Sequence, residues 1–470
     1  MPENWYKSRG YLHFDRPINQ AAALAIVSSP KTVAMHAFYP FIRYVAQTQK
    51  VFFDKSIGKV VKKDPKQRPI SYAAHVDSHI YSYYCDLLNQ AYEDHLAQVP
   101  WSSAVLAFRA LKKSNIDFAL DAFLDIAVRE SCCVIAIDIK GFFDNLDHAH
   151  LKSAWQALLG TSHLPNDHYA VYRSLTKYSF VYRDQVYEAL GLSKNNPKHG
   201  RKRICEPHEF RAQVRDGGLV ETNKGKKGIP QGSPISAMLS NVYMMGFDEQ
   251  IHTYVESCGG AYYRYCDDVL LIVPLEKEAE AKALVDLRVN EIGLEIQTAK
   301  TETCKFTRSA KGLRTDRPLQ YLGFIFDGAN IYLRSSSLAR YQDRVNRGIW
   351  LAGKCMDKVN AKRIARGQLP RSMFLKKLYK RYSYLGRRNF ISYGYRAARI
   401  MGSPSIKKRN RLANSPLSTQ TSSDKNGWKT KPCPQVYPLN KPVSDVGHAE
   451  PASGSQSTMA SLYTSAPHTP

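Results

Sequence analysis

The sequence predicts an α+β protein, and three observations lead to that prediction. An apolar run, residues 133–137, has the pattern of a buried central strand and ends at Asp138. Two further apolar runs flank the adjacent acids Asp267 and Asp268 and predict the two strands of a hairpin. Elsewhere, apolar residues recur at helical spacing. We therefore expect a sheet and several helices in the same chain.

Residues 1–130 are predicted to have mixed structure that includes one long helix. A basic turn is expected at residues 62–69, and the helix follows it with a stripe of apolar side chains. The stripe consists of Ile80, Tyr84, Leu87, Leu88 and Tyr92.

The centre of the chain, residues 131–330, is predicted to be rich in strands and to contain two helices. Ser233 can cap the first helix and Pro234 suits its first turn. Its apolar stripe consists of Ile235, Met238, Leu239, Val242 and Met245. The second helix ends at Gly293. Its apolar stripe consists of Leu284, Val285, Val289 and Ile292. Residues 183–227 form a basic insertion whose structure the sequence leaves open.

Residues 331–402 are predicted to be wholly helical, with one apolar and one basic face. They contain 18 Lys and Arg residues against two acidic ones, in a chain whose formal net charge is +26. The predicted nucleic-acid contacts on the basic face are Arg344, Arg347, Lys354, Lys376, Lys377, Lys380, Arg387 and Arg388.

From Ser403 onward Ser, Thr, Pro, Asn and Gly dominate, so residues 403–470 are expected to be disordered.

This concentration of positive charge indicates a long polyanion as the partner. A solvated face usually mixes both signs of charge, whereas a basic stripe on one module is typical of nucleic-acid binding. The nine cysteines include no Cys-x-x-Cys pair, so structural zinc is not expected.

The N-terminus has no apolar signal-peptide core, and no run approaches the ~18 apolar residues of a membrane span. A cytoplasmic protein that does not contact a membrane is therefore expected.

The three acids are the strongest chemical signal. If the strand ending at Asp138 lies beside the hairpin that carries Asp267 and Asp268, their carboxylates converge. Carboxylates at the edge of a buried sheet are costly to desolvate without a cation. Three of them can hold two Mg²⁺ ions about 3.5–4 Å apart, an arrangement that activates an attacking hydroxyl and stabilises a departing pyrophosphate.

Five stretches of the chain resemble, in the same order, motifs A to E of reverse transcriptases. They are residues 138–144, 228–234, 265–268, 293–294 with 300–301, and 319–324. Residues 68–70 resemble a motif of the fingers. The resemblance covers roughly residues 55–402 and implies a right-hand polymerase fold. Its parts would be an N-terminal segment with fingers (1–130), a palm of antiparallel sheet plus helices (131–330) and a basic helical thumb (331–402).

The resemblance also implies roles for the residues of the metal site. Asp138 and Asp267 are expected to bind both ions, with Asp268 in support and the backbone of Ile139 as a minor ligand. The implied cofactor is two Mg²⁺ ions, with Mn²⁺ as the alternative ion. Lys300 is expected to protonate the departing pyrophosphate, although a single lysine is also an ordinary surface charge.

Phe143 occupies the position of the steric gate, a ring beneath the sugar that excludes a 2′-hydroxyl. The alternative is that Phe143 is an ordinary core residue, because Phe142 beside it is also a phenylalanine.

Further residues are assigned to the incoming nucleotide by the same resemblance. Gln231 is expected to position template and nucleotide, Arg68 to contact the triphosphate, and Lys140 to belong to the same nucleotide site. Arg109 is a second candidate for the triphosphate. The physical reason is the bidentate geometry of guanidinium on phosphate.

The Tyr-Cys-Asp-Asp box at 265–268 and the basic insertion resemble bacterial reverse transcriptases of the unknown group, relatives of the group II intron enzymes. The type 2 defence-associated (antiviral) enzymes are the most similar. This resemblance implies an antiphage enzyme that copies a structured non-coding RNA, its template and scaffold, into cDNA. The dNTPs are then its substrates, and an RNA–DNA duplex lies on the thumb. Protein partners are not implied.

Several alternatives stay open from the sequence. Intron-type and diversity-generating reverse transcriptases carry similar motifs, and some relatives of phage-abortive systems make DNA without a template. An RNA-binding maturase or scaffold with an idle polymerase site is the alternative that is not an enzyme. Template dependence of the product, and the effect of removing the acids, would separate these functions.

Overall fold

The structure is a computed structural model that describes residues 5–54 and 59–414. Its helices are α1 (Gln20–Val27), α2 (Pro30–Ala34), α3 (His75–Leu96), α4 (Asn115–Ala127), α5 (Phe142–Asn145), α6 (His148–Leu159), α7 (Asn166–Thr176), α8 (Arg183–Ala189), α9 (Pro207–Glu209), α10 (Ser236–Tyr243), α11 (Met245–Ser257), α12 (Glu278–Glu291), α13 (Ser335–Ile364), α14 (Leu375–Tyr382), α15 (Phe390–Ile400) and α16 (Pro404–Asn414). Short 3₁₀ turns lie at Pro100–Ala104, Leu275–Lys277 and Thr298–Lys300, and a π-helical turn lies at Phe210–Arg215.

Three sheets contain the strands. The strands are β1 (Phe41–Asp54), β2 (Lys59–Tyr72), β3 (Ser131–Asp138), β4 (Ser179–Tyr182), β5 (Glu221–Thr222), β6 (Ala261–Tyr265), β7 (Asp268–Val273), β8 (Glu302–Ser309), β9 (Gly312–Thr315), β10 (Leu319–Tyr321), β11 (Phe324–Phe326) and β12 (Ile331–Leu333). Their orders are β2-β1-β4-β5, β6-β7-β3-β8-β9 and β10-β11-β12.

The five-stranded antiparallel sheet is the centre of the fold, and its inner strands β3 and β7 are buried on both faces. Along β3, Cys133, Ile135 and Ile137 belong to the larger core, which also takes in α3, α10, α11 and α12. The alternating residues Cys132 and Val134 belong to a second core with α4 and the three-stranded sheet. A strand buried on both faces is continuously apolar, which is the pattern that predicted it.

The predicted helices of the N-terminal and central regions are present. The stripe from Ile80 to Tyr92 lies within α3, and the second central helix is α12, followed by Gly293 at φ +73°. The first central helix begins later than predicted, at Ser236. Within the described residues, the buried Ser233 hydroxyl has no hydrogen-bond partner, so Ser233 does not cap the helix.

The predicted basic turn at 62–69 is wrong, because these residues lie within the long strand β2. Pro69 pairs with Val45 of β1 in the antiparallel ladder. Proline is tolerated there because β2 is an edge strand, where one side of the backbone has no neighbouring strand to receive a hydrogen bond.

The basic insertion at 183–227 belongs with the first sheet. It follows β4, which pairs in parallel with β1, and it contributes β5 to the same sheet. A third core joins the insertion to the N-terminal segment through residues such as Leu12, Phe14 and Ile204. The insertion thus packs with the first sheet and the N-terminal segment.

Two expectations for the C-terminal part need correction. Residues 331–402 are not wholly helical: β12 pairs with β11, and non-helical segments at 365–374 and 383–389 separate α13, α14 and α15. Residues 404–414 form α16, where the sequence predicts disorder. Among residues 404–410, the part of this helix whose side chains the structure describes, only Ile406 and Asn410 are buried, so a hydrophobic pattern could not reveal it. The remaining expected disorder, at 415–470, lies outside the described residues.

Over the described ranges, 5–54 and 59–414, no helix is both long and apolar enough to cross a bilayer.

Candidate active site

Two of the predicted acids face each other across neighbouring strands. Asp138 is the last residue of β3 and Asp268 is the first of β7, and the two are direct partners in the antiparallel register. Side chains of directly opposed residues leave the sheet on the same face, with Cβ atoms roughly 4.5–5.5 Å apart. The fold therefore brings together two carboxylates that are 130 positions apart in sequence.

The third acid, Asp267, lies in the tight turn between β6 and β7. Tyr265 pairs with Asp268, so Cys266 and Asp267 alone form the turn. Cys266 has φ +61°, a left-handed conformation that is uncommon for a residue with a side chain. The carbonyl of Asp267 accepts a hydrogen bond from the backbone N–H of Ile139 (3.3 Å). This bond ties the turn to the end of β3.

The charges of the three acids act on one another. The pKa of Asp268 is raised to about 6, first because the surrounding protein desolvates it and then because Asp267 and Asp138 add negative charge. Lys300 and Arg334 act in the opposite direction. A bound cation would favour the charged form of Asp268 and oppose this rise in its pKa.

Lys300 already supplies one positive charge to the cluster. Its Nζ is hydrogen-bonded to Oδ2 of Asp138 in an ion pair. The 3₁₀ turn Thr298–Lys300 presents this lysine, and the preceding Gln297 is held by a hydrogen bond from its N–H to the carbonyl of Asp138 (2.8 Å). The sequence-predicted lysine thus reaches the acids directly.

Among residues 5–54 and 59–414, no three His, Cys, Asp or Glu side chains are arranged as a metal-ligand cluster. At the acids, the Asp138 carboxylate is engaged with Lys300 instead. The donors are nevertheless of the right kind, because carboxylate and backbone oxygens are the ligands that Mg²⁺ and Mn²⁺ prefer. The residues present fit a divalent ion.

The two adjacent phenylalanines after the first acid differ in environment. The Phe142 ring is only 3% exposed and belongs to the main core, whereas the Phe143 ring is partly exposed at the edge of that core. Phe143 is fixed by its backbone, since its carbonyl accepts a hydrogen bond from the N–H of Ile229 (2.9 Å). Phe142, not Phe143, is therefore the fully buried ring.

The Gln231 turn touches the edge strand β2. The carbonyl of Gln231 accepts a hydrogen bond from the N–H of Ser71 (2.8 Å). Gly232 follows at φ +114°, and a Cβ there would lie 2.6 Å from the Ser71 carbonyl oxygen, so only glycine fits. Arg68 lies exposed three residues earlier on the same strand. Arg68 and Gln231 are thus on adjoining elements.

Lys140 and Arg109 have different surroundings. The exposed Lys140 forms an ion pair with Glu295 (2.9 Å). Arg109 is a buried structural residue: its guanidinium is bidentate to Glu93 (2.9 and 2.8 Å) and also donates to backbone carbonyls, including that of Val105 (3.0 Å). With its donors engaged in this way, Arg109 does not suit a triphosphate, and that expectation is wrong.

The eight basic residues expected to bind nucleic acid are all exposed, on α13, on α14 and in the segment before α15. Tyr341, Val345 and Ile349 face inward from α13 and form a separate small core with Leu378 of α14. The predicted apolar face is only partly buried, because Phe374 and Leu385 of the predicted stripes are exposed, as are Trp350, Leu351, Val359 and Ile364 of α13.

A buried network beneath the turn was missed from the sequence. Arg264 of β6 donates to Asp248 of α11 from Nε (2.6 Å) and Nη2 (2.5 Å), and both side chains are 0% exposed. Its Nη1 donates to Asn241 of α10 and to the carbonyl of Cys266 (both 3.2 Å). The only sequence signal was a lone arginine inside an aromatic strand.

Comparison with solved structures finds telomerases at low similarity. The apo telomerase of Candida tropicalis truncated from the C-terminal domain aligns with a TM-score of 0.39 and 8% identity, over 63% of this chain and 57% of that one. The telomerase of Candida albicans in complex with a fragment of telomeric RNA aligns with a TM-score of 0.37 and 12% identity, over 84% and 66%.

A second apo telomerase of Candida tropicalis aligns with a TM-score of 0.38 and 12% identity, over 64% of this chain and 51% of that one. The chain thus spans slightly more than half the length of the two apo telomerases.

No curated protein sequence matches the chain. The family model described as reverse transcriptase (RNA-dependent DNA polymerase) matches residues 60–326. This match covers more than half of the chain and includes β2 from its second residue, together with the three acids. The chain therefore belongs to the reverse transcriptase family.

Proposed function

We propose that this chain is an RNA-directed DNA polymerase that copies a structured non-coding RNA into cDNA in antiphage defence, in the bacterial cytoplasm. The observation that supports the chemistry best is the meeting of Asp138 and Asp268 in one register pair, with Asp267 in the adjoining turn. The defence role and the RNA partner rest on the resemblance of the motifs alone.

The acids would hold two Mg²⁺ ions, with Mn²⁺ as the alternative. Asp138 and Asp267 would be the main ligands, Asp268 would support them, and the Ile139 backbone carbonyl would be a minor ligand. When bound, such ions activate a 3′-hydroxyl and stabilise the leaving pyrophosphate.

The remaining residues would bind and orient the dNTP. Arg68 and Lys140 would contact its phosphates, Gln231 would position it against the template, and the partly exposed ring of Phe143 would lie beneath its sugar. Lys300, whose Nζ already reaches Asp138, would donate a proton to the departing pyrophosphate. A general acid contributes typically about 10²–10⁴-fold to such a step.

The basic faces of α13 and α14 would hold the RNA–DNA duplex by its phosphates. Such contacts do not read the bases, which suits an enzyme that must move along any sequence.

The test is to purify the full chain with its co-bound RNA, supply dNTPs and Mg²⁺, and sequence both the RNA and the DNA. The comparison variant is the Asp267→Ala, Asp268→Ala double variant, and the matched control is Asp184→Ala, an exposed acid of α8. We expect DNA complementary to one discrete RNA from the parent and the control, and none from the double variant.

Other outcomes decide between the rival functions. DNA that matches no bound RNA would indicate template-independent synthesis. An RNA that is part of an intron or a variable repeat would indicate the intron-type or diversity-generating enzymes. Bound RNA with no DNA, together with phage protection that persists in the double variant, would indicate the scaffold.

A further inference from the structure

A cavity of about 360 Å³ lies outside the cluster of acids, between the N-terminal segment, α3 and the start of α10. Its volume is within the range of small-molecule pockets. It has three chemically different parts: a polar wall, an apolar wall and a basic region.

The polar wall comes from one face of α3. Ser82, Asp86 and Asn89 line the cavity, and their spacing of four and three residues places them on one side of the helix. Together they present a hydroxyl, a carboxylate and an amide, which can both donate and accept hydrogen bonds. The edge of a nucleobase and a ribose offer the complementary groups.

The apolar wall contains two aromatic rings and the start of α10. Trp5 is nearly buried and meets Tyr83 edge to face, with 5.6 Å between ring centroids. Phe108 is 46% exposed and has φ +61°, an unusual backbone conformation for an aromatic residue. Met238 completes this wall. An exposed ring on a constrained backbone is a surface on which a flat base can stack.

The basic region is formed by Arg9 and Lys7. The Arg9 Nη2 donates to the Ser82 hydroxyl (2.9 Å), which orients the guanidinium along the polar wall. Its Nε is shielded from solvent and has no hydrogen-bond partner within the described residues. A buried donor without a hydrogen-bond partner lowers stability. A phosphate that accepted a hydrogen bond from the Arg9 Nε would remove this cost. Lys7 is exposed beside it.

We propose that this cavity binds one nucleotide, with its base stacked on Phe108, its base edge on α3 and its phosphate at Arg9 and Lys7. We assign the nucleotide to an unpaired segment of a bound nucleic-acid strand, because Pro234, Ala237 and Met238 line the cavity and Gln231 lies three residues before Pro234; this assignment rests on the proposed role of Gln231 in positioning the template. A free mononucleotide has the same chemistry and is the second source to test. This site is separate from the acids and does not depend on polymerase activity.

The experiment uses the full chain and a short single-stranded oligoadenylate labelled with a fluorophore. Phe108→Asn removes the ring but keeps a residue that tolerates a positive φ, and Phe108→Tyr is its matched control. Arg9→Gln removes the charge, and Arg9→Lys is its control. We expect Phe108→Asn and Arg9→Gln to bind the oligonucleotide about tenfold more weakly or worse, with the two controls close to the parent. Thermal melting of each variant checks its folding.

A second readout does not depend on the stability of any variant. The parent chain is crosslinked to a single-stranded RNA that carries one photoreactive iodouridine, and the modified peptides are mapped. Crosslinks at Trp5 or Phe108 that AMP does not displace would support a nucleotide of a strand, and displacement by AMP would support a free nucleotide. Crosslinks only elsewhere, or parental affinity in well-folded Phe108→Asn and Arg9→Gln variants, would overturn the proposal.

Discussion

Phe142 and Phe143 are chemically identical neighbours with different surroundings. Their ring centroids are 5.5 Å apart in an edge-to-face pair, but only Phe142 is enclosed by the core. Because the two residues are identical, the sequence could not show which ring lies in the core and which contacts a sugar. The partial exposure of Phe143 makes it the one that is accessible to a ligand.

Substituting these two residues is expected to change two different properties of the protein. Phe143→Ala should increase incorporation of ribonucleotides relative to deoxynucleotides by about tenfold or more, because a ring beneath the sugar discriminates by steric exclusion. Phe142→Ala should instead lower the free energy of unfolding by about 3–5 kcal/mol. Competition between rNTP and dNTP in primer extension, together with urea denaturation, measures both. Unchanged sugar discrimination in Phe143→Ala would place the gate elsewhere.

His13 is a fully buried imidazole. Its Nδ1 accepts a hydrogen bond from the N–H of Phe14 (2.9 Å), and its Nε2 has no partner among the described residues. Burial, and secondarily the nearby His75, lowers the pKa of His13 to about 3. The folded protein therefore keeps this ring neutral at pH values where the unfolded chain protonates it.

His13 should make the protein less stable in acid. Since the unfolded pKa is about 6.5 and the folded pKa lies well below it, stability is lost as pH falls through 6.5, by about 1.4 kcal/mol near pH 5.5. In His13→Asn, whose amide oxygen can still accept from Phe14, this loss between about pH 7.5 and 5.5 should be smaller. Urea denaturation at the two pH values checks it, and equal losses in both proteins would exclude His13 as the source.

At the scale of elements, the turn that carries Asp267 depends on two helices. Arg264 joins β6 to α11 through Asp248 and to α10 through Asn241, and it also binds the carbonyl of Cys266. The Tyr262 hydroxyl donates to the same Asp248 carboxylate (2.6 Å). Breaking this network leaves a buried arginine without its counter-charge.

Asp248→Asn is expected to destabilise the protein by about 3–5 kcal/mol, the typical cost of removing one partner of a buried ion pair. Glu291→Gln, which removes the partner of the surface residue Arg288, should cost less than about 1 kcal/mol. Chemical denaturation of both variants tests the difference. Similar small losses in both would mean that the network contributes little to stability.

At the scale of the whole molecule, positive charge is concentrated on the C-terminal helices. The three lysines Lys376, Lys377 and Lys380 are all exposed on α14, and the only buried residue of this helix is Leu378. A surface of this kind binds phosphates through counterion release.

Replacing those three lysines with Gln should weaken duplex binding and reduce the slope of log K against log salt by roughly 0.9 for each phosphate that the variant no longer neutralises. The matched control replaces Lys277, Lys282 and Lys305, which are paired with acids. Fluorescence anisotropy on an RNA–DNA duplex at several salt concentrations measures both triple variants. Equal slopes in the two would mean that α14 does not contact the duplex.

The last described helix, α16, should be needed for stability. Ile406 is completely buried, and the Asn410 amide donates to the carbonyl of Ile391 (2.8 Å) in α15. A chain ending at Gly402 should melt at a clearly lower temperature than one ending at Asn414, because the apolar surface of α15 would be exposed. Equal melting temperatures would show that α16 is dispensable.

Much of the candidate site was predictable from the sequence. The acids, the motif glycines, the buried strand and the basic helices each have a local pattern, since strand burial and helix amphipathicity repeat with fixed periods. The tertiary surroundings of single residues were not predictable. Arg109 is of a residue type that often binds phosphate, yet its ion pair with Glu93 gives it a structural role.

The reverse transcriptase family could be read from the sequence alone, because the residues that indicate it are grouped in short motifs. The folded structure was needed to show which of two adjacent phenylalanines is accessible, that β4 and β5 extend the first sheet, and that Arg264 supports the turn. Side-chain burial, strand pairing and ion pairing depend on contacts between residues far apart in the chain, and a local sequence pattern does not indicate those contacts.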